Sequence, residues 1–338
     1  MKKQHWKWLG VSIVFSVIVL VAVLYLTFDE TTIVYLAQMD PFYLVLALLL
    51  HVAALVIWTV KIQTMVKSLG YRVGFLYTLN MVNANLLVAA ITPSQAGGEP
   101  VRIHELYSAN IKLGDATAIV ITERILDVVI LVVGGVLAVF MLGTINIPQQ
   151  FTLIIYGAWA CMVFFVLLFL YSGKNPAMLK RLIKAASCLF TKAWDSQKVN
   201  ALSQRIDCEV DSFHGSLSLF VSQGKAGLYW GTFFTAVFWA IEFLIPSLIL
   251  LGLGSPPYFL ESFVVQIIIA IIMMVPLTPG GSGIAEVSAY SLYMLFVPSA
   301  IVGVFVVLWR VIFYYFNIAV GILSSIPILR RTMTSESR

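Results

Sequence analysis

Two arginines set the chemical question. Arg124 stands nine residues after Asp115, and Arg310 eleven after Ser299, each within a run that is otherwise largely apolar. At 1.5 Å per helical residue both lie roughly 14–16 Å along their helices, near the middle of a bilayer. A charge at that depth costs at least about 2.5–3.5 kcal/mol on insertion scales, so it faces a bundle interior and finds a partner. The acids available are Glu99, Glu123, Asp127, Glu242 and Glu286. Asp127 is at i+3 from Arg124, which makes a local pair. Arg310 has no acid within reach on its own helix, so its partner must be Glu286, Glu99 or a ligand. The plainer reading of both arginines is structural ion pairing between helices.

Two Pro- and Gly-rich interruptions supply the second ingredient. The first reads Thr92-Pro93-Ser94-Gln95-Ala96-Gly97-Gly98-Glu99-Pro100-Val101-Arg102, and the second Thr278-Pro279-Gly280-Gly281-Ser282-Gly283-Ile284-Ala285-Glu286. Pro93 and Pro279 stop the incoming helices, as hinges, while the glycines permit tight turning. Pro100 suits a first helical turn, and Ser282 suits an N-cap. Each break is expected to expose a helix N-terminus whose free N–H groups favour an anion. Two arginines facing two such N-termini would hold a phosphate, because guanidinium grips phosphate in a bidentate fork. The plainer reading is that both breaks are only tight turns.

The elements that position these residues follow from composition. The chain has 338 residues, 60% hydrophobic and only 11% charged, with a mean hydropathy of +0.96, whereas a soluble domain has about a quarter of its residues charged. An α-helical polytopic membrane protein is the class that fits. Cys161, Cys188 and Cys208 lack metal-ligand or disulfide spacing. No Ser-His-Asp pattern, Walker loop or His/Cys cluster occurs, so neither catalysis nor a metal or other cofactor is expected. His51 reads as a hydrogen-bonded bundle residue, and Tyr290, Tyr293, Tyr314 and Tyr315 as interface or packing aromatics.

Spans of about 20 residues are expected at 9–27, 42–66, 115–141, 151–171, 228–251 and 300–327, with interrupted apolar segments at 74–112 and 259–297. Lys2, Lys3 and Lys7 precede the first span. Lys61, Lys67 and Arg72 follow the second, eight basic residues lie in the 172–227 loop, and Arg330, Arg331 and Arg338 close the chain. The opposite loops hold Asp29, Glu30, Asp40 and Glu261 without Lys or Arg. The positive-inside rule then puts both termini in the cytoplasm of a plasma-membrane protein. The net charge of +5 is explained by this placement rather than by nucleic acid. Each interrupted segment has both ends on one side, so each is predicted to be a re-entrant hairpin, protected from lipid by protein or a water-filled cavity. The 172–227 loop reads as cytoplasmic helix near anionic lipid, and at about 55 residues it is short for a catalytic domain.

An offset of 186 residues carries Thr92-Pro93 onto Thr278-Pro279, Gly97 onto Gly283 and Arg124 onto Arg310. It also carries span 42–66 onto 228–252. Residues 1–338 therefore read as one membrane domain. A first helix leads to repeat 1 (42–141), a linking helix (151–171), the loop, repeat 2 (228–327) and a tail (328–338). The sidedness inverts the second repeat relative to the first, an architecture usual in secondary transporters.

These residues resemble the flippase-like transmembrane region of the lysylphosphatidylglycerol synthases. The resemblance rests on Pro93-x-x-x-Gly97-Gly98-Glu99-Pro100-Val101-Arg102, on Glu123-Arg124-x-x-Asp127, and on Pro279-Gly280-Gly281-Ser282-Gly283-Ile284-Ala285-Glu286 with Arg310. It implies a lipid-translocating domain with two re-entrant elements, whose recurrent charged positions are Glu99, Arg102, Glu123, Arg124, Asp127, Glu286 and Arg310. Ile284-Ala285 stands where a Val-Arg type pair is common before the acid. Nothing after Arg338 supplies an aminoacyl-transferase domain, so lysyl transfer is not implied. The expected function is translocation of an anionic lipid, phospholipid or polyprenyl-phosphate-linked. Arg124 and Arg310, with Gly97, Gly98, Gly281, Ser282 and Gly283, would bind the phosphate. Glu99, Arg102, Glu123, Asp127 and Glu286 would balance charge or carry a coupled proton. The alternatives are a transporter of a small soluble anion and a non-transporting partner of a membrane-associated lipid-modifying enzyme. The expected partners are membrane lipids, with self-association left open.

Overall fold

The computed structural model describes residues 30–92, 97–142, 224–273, 278 and 280–336, with isolated positions elsewhere. The predicted helices at 9–27 and 151–171, most of the 172–227 loop, both hinge prolines and all three cysteines lie outside the described residues. Among those described, all regular structure is helical. The helices are α1 (Glu30–Ala37), α2 (Pro41–Ser68), α3 (Phe75–Ile91), α4 (Gly98–Ser108), α5 (Leu113–Leu142), α6 (Lys225–Gly252), α7 (Phe259–Met273), α8 (Ile284–Tyr293), α9 (Ser299–Arg310) and α10 (Phe316–Glu336). A π-helical stretch, Val311–Tyr315, joins α9 to α10.

Local chemistry explains the boundaries. α2 opens on Pro41 behind Asp40, whose carboxylate accepts the Phe42 N–H at 2.9 Å, the combination that suits a helix start. α4 ends at Ser108 with Ala109 as its C-cap, and Asn110 beyond it takes a positive φ of 63°. Among the described residues, three stretches are long and apolar enough to cross a membrane by length and composition: α2, α6, and α9 through to Ile328. α5 is as long, at 30 residues, and carries Glu123, Arg124 and Asp127 within it. Asp115 lies in the first turn of α5 rather than capping it, and accepts the Tyr71 hydroxyl at 2.6 Å.

Both interrupted segments are helical hairpins. In the first, the Tyr77 hydroxyl near the start of α3 donates to Glu105 near the end of α4, while Asn85 lies against Gly98. In the second, Gln266 Nε2 donates to the Tyr293 hydroxyl at 3.0 Å, and Met273 lies against Gly281. The arms of each pair therefore run antiparallel.

The offset of 186 residues pairs α2 with α6, α3 with α7, α4 with α8, and α5 with α9–α10. Packing follows the same correspondence: α3 lies along α10, and α7 along α5. Each hairpin thus rests on the long helix of the opposite half. The most extensive contact joins α2 to its counterpart α6. These two run antiparallel, with Asp40 N–H donating to Gly252 C=O at one end and Gly227 against Ser68 at the other. Glycines allow such approach, as small residues do wherever membrane helices pack by contact rather than by hydrophobic exclusion. A Cβ on Gly321 of α10 would sit 2.7 Å from the Asn83 carbonyl and the Leu87 side chain of α3.

Candidate functional site

The two breaks meet. Gly280 N–H donates to the Thr92 carbonyl at 3.1 Å, which ties the second turn to the end of α3. Gly280, Gly281 and Gly283 all have positive φ, a region L side chains enter only at a cost. A Cβ at Gly280 would also lie 2.5 Å from the Ala90 carbonyl, and one at Gly281 2.0 Å from Met273 Cε. Backbone angle therefore calls for glycine at all three positions, and at Gly280 the close backbone of Ala90 calls for it as well.

The helix N-termini differ from the sequence expectation of free donors. Gly283 N–H is taken by Glu286 Oε2 at 2.6 Å, so Glu286 rather than Ser282 caps α8. Ser282 instead lies 3.4 Å from the Tyr314 hydroxyl. In the first half Gly97 N–H donates to Thr92 Oγ1 at 3.0 Å, and Gly98 is buried against Asn85. An anion is built into the second turn, and it is a protein carboxylate.

Glu286 also answers the question of Arg310. Its Oε1 accepts from Arg310 Nε at 2.9 Å, and the guanidinium lies 4.2 Å from the centre of the Tyr314 ring. Arg310 Nη2 has no hydrogen-bond partner although it is buried. Arg124 is the more open cation, with its side chain 43% exposed. Its Nε lies 2.7 Å from Glu99 Oε1, and its Nη1 3.6 Å from Asp127 Oδ2. The local i+3 pair is present on α5, and Glu99 joins it from α4.

Arg102 and Glu123 are deeper. Arg102 is fully buried and pairs with Glu123 Oε2, while Glu123 Oε1 accepts from Trp58 Nε1. Lys61 completes this group, 3.2 Å from both Glu123 and Asp127. Sequence reading put Lys61 in the basic flank after α2, but it is 2% exposed. α2 runs on to Ser68, which sets Lys61 nearly two turns inside its end and opposite the acids of α5. Lys67 and Arg72 remain exposed at that end. Lys61, Arg102 and Arg124 thus match Glu99, Glu123 and Asp127 in number.

A third group was missed as a group. His51 Nδ1 lies 3.0 Å from Glu242 Oε1, and its Nε2 2.9 Å from Asn317 Oδ1. It joins α2, α6 and α10. Pro246, four residues after Glu242 within α6, removes the donor that would satisfy the Glu242 carbonyl. Among the described residues no group of three or more His, Cys, Asp or Glu is placed to hold a metal.

These groups surround one cavity of about 440 Å³ between the halves. Lys61, Glu99, Arg124 and Asp127 line it from the first half, and Glu242, Gln266, Arg310 and Asn317 from the second. Trp58, Trp239, Trp309, Phe238, Phe243 and Phe313 supply an aromatic wall. The size is that of a small-ligand site. The π-helical stretch begins directly after Arg310, a position where such turns often accompany function. Arg102, Glu123 and Glu286 stand behind this lining and hold its members.

Comparison with known proteins identifies the family. The pattern described as the lysylphosphatidylglycerol synthase TM region matches residues 8–321. A "UPF0104 membrane protein" of Archaeoglobus fulgidus is 34% identical over 317 residues, covering 93% of this chain and 95% of that protein. The "UPF0104 membrane protein PH1989" of Pyrococcus horikoshii is 28% identical over 273 residues, covering 78% and 80%. The "UPF0104 membrane protein MJ1595" of Methanocaldococcus jannaschii is 22% identical over 299 residues, covering 87% of each.

Proposed function

The chain belongs to the lysylphosphatidylglycerol synthase TM region family, and from that membership we propose that it translocates an anionic lipid across the cytoplasmic membrane. The observation that carries the reading is the shared cavity, where Arg124 of one half and Arg310 of the other line one space beneath two broken helices. Charges buried at such depth are a functional signal by default.

The proposed arrangement is two inverted repeats, each with a re-entrant hairpin, in a protein of six full spans with both termini cytoplasmic. Three features support it. α4 and α8 have 11 and 10 residues, about 15–17 Å of helix, and cannot cross some 30 Å of hydrocarbon. The hairpin arms are antiparallel, which returns each segment to the side it left. Equivalent helices α2 and α6 also run antiparallel, as a two-fold axis in the membrane plane requires. The phosphate would be held on the arginine side chains rather than on the turn N–H groups, since Glu286 and Thr92 already accept from those at Gly283 and Gly97.

Reconstitution tests this. Proteoliposomes with labelled anionic phospholipid or polyprenyl phosphate are expected to show transbilayer movement with wild type and to lose it with Arg310→Ala, the variant remaining monodisperse and helical. No movement of any tested lipid by the wild-type protein would overturn the reading. Unaltered movement in the variant would make Arg310 structural.

A further inference from the structure

Among the described residues, His51 and Glu242 are the ion pair of the cavity whose cation can lose its charge near neutral pH. The acids of the first half are matched by Lys61, Arg102 and Arg124, and Glu286 is matched by Arg310. Lysine and arginine ordinarily keep their protons at neutral pH, whereas imidazole gives one up between about pH 5 and 8. Hydrogen-bond geometry fixes where that proton sits. Asn317 Nδ2 donates to the Phe313 carbonyl at 2.8 Å, so its Oδ1 is the atom that meets His51 Nε2 at 2.9 Å. An amide oxygen only accepts, so Nε2 carries a hydrogen in every state. The exchangeable proton therefore lies between Nδ1 and Glu242 Oε1, which are 3.0 Å apart. With that proton in place the pair is neutral. When it leaves, the Nδ1 lone pair faces a carboxylate, and the pair carries one negative charge. The exit is Glu242, which lines the cavity with 10% of its side chain accessible, against 3% for His51.

We infer that His51 and Glu242 form a one-proton site whose occupancy sets the net charge of the cavity, so that an anion and a proton enter together. This rests on reading the cavity as an anion site and supplies its coupling ion. The other charges in and behind the lining cancel. Three cations meet three acids in the first half, and Arg310 meets Glu286 in the second. The cavity is therefore neutral with the proton bound and negative without it, and only the second state repels an anion. Linkage is reciprocal, so each of the two raises the affinity for the other by the same factor. A packing route runs beside the electrostatic one. The Phe313 ring lies 5.0 Å from the imidazole, within the π-helical stretch that begins directly after Arg310.

Binding and spectroscopy test the site independently of transport. The probe is dihexanoyl phosphatidylmethanol, a soluble phosphodiester lipid whose charge does not titrate in this range. Calorimetric titration of the purified full-length chain in detergent is expected to show binding about tenfold or more tighter at about pH 5 than at about pH 8. His51→Leu combined with Glu242→Gln removes the proton site and is expected to give one affinity at both. Nitrogen NMR of protein labelled at its four histidines reads the site without a ligand, the His51 signal being the one lost in that double variant. Nε2 is expected to keep its hydrogen throughout while Nδ1 loses one. A neutral His51 protonated at Nδ1, or no titration of His51 between about pH 5 and 8, would overturn the one-proton site. Equal binding at both pH values, no binding by monodisperse wild type, or a pH dependence that survives in the double variant would overturn the linkage. If pH-linked binding is found while proteoliposomes move no lipid, the translocation reading falls and this one stands.

Discussion

Neutralising Glu123 should be among the most damaging single changes in this protein. Its two oxygens serve Arg102, Trp58 and Lys61. Lys61 would keep Asp127 at 3.2 Å, but Arg102 would keep no acid in contact, with its Nε and Nη2 already unpartnered. Removing one member of a buried pair costs about 3–5 kcal/mol, mostly because the surviving charge is stranded. Glu123→Gln should therefore lower unfolding free energy by about 3–5 kcal/mol, read by titration with a denaturing detergent in mixed micelles. The logic lies in the second variant. Arg102→Met made together with Glu123→Gln removes both charges and should cost less than Glu123→Gln alone, about 1–2 kcal/mol in total, a strongly non-additive cycle. A cost below about 1 kcal/mol for Glu123→Gln, or additive behaviour in the double variant, would refute the argument that Arg102 depends on Glu123.

Other sites give sharper local tests. Gly280→Ala must adopt a left-handed backbone, at about 1–2 kcal/mol, and meets the Ala90 carbonyl at 2.5 Å. It should destabilise by more than the backbone term alone in the same titration, and a neutral result would mean the breaks do not touch. His51→Leu strands Glu242 and should cost about 3–5 kcal/mol, most of it recovered by adding Glu242→Gln; no recovery would remove the pair from the account. Tyr71, in the turn between α2 and α3, has its pKa raised because the Asp115 carboxylate accepts its hydroxyl hydrogen bond and disfavours the phenolate. A raised folded pKa gives a tether fully present below the ordinary tyrosine value of about 10 and lost as pH rises through the folded value. Hydrogen exchange in the 69–74 turn should accelerate there in the wild type beyond the intrinsic base dependence, and Tyr71→Phe should abolish that excess.

How much of this could be read from the sequence depends on the range over which each signal acts. Proline and glycine act on their own neighbours, so the breaks at 92–98 and 278–283 were legible, and so were the long helices α2, α5, α6 and α9–α10. That Arg310 needs a partner from another helix was legible, since no acid lay near it on its own, but Glu286, Glu99 and a ligand stayed open until the fold placed Glu286 against it. The cap on α8 carried a readable signal too, an acid three residues into the helix, which Ser282 obscured. Lys61 was misplaced because a lysine near a span's end looks like a flank, and only the distant acids of α5 reveal its burial. His51, Glu242 and Asn317 are 191 and 266 residues apart in the pairs they form, and no local pattern brings them together. The π-helical stretch Val311–Tyr315 contains neither proline nor glycine, and nothing in the sequence marked it.

The crossed packing of the hairpins has a consequence for biosynthesis. α3 rests on α10, yet some 225 residues separate Ile91 from Phe316, so at 5–20 residues per second about 11–45 s of translation pass before that support emerges. The second hairpin never waits in this way, because α5 is complete before α7 is made. What protects the early half is its own stoichiometry. Lys61, Arg102 and Arg124 find Glu99, Glu123 and Asp127 within the first 142 residues, which allows its buried charges to be neutralised before the rest of the chain exists. A ribosome stalled after α5 should thus hold a half-protein whose ionic core is closed but whose hairpin is still uncovered, the stage at which a membrane chaperone would have most to bind.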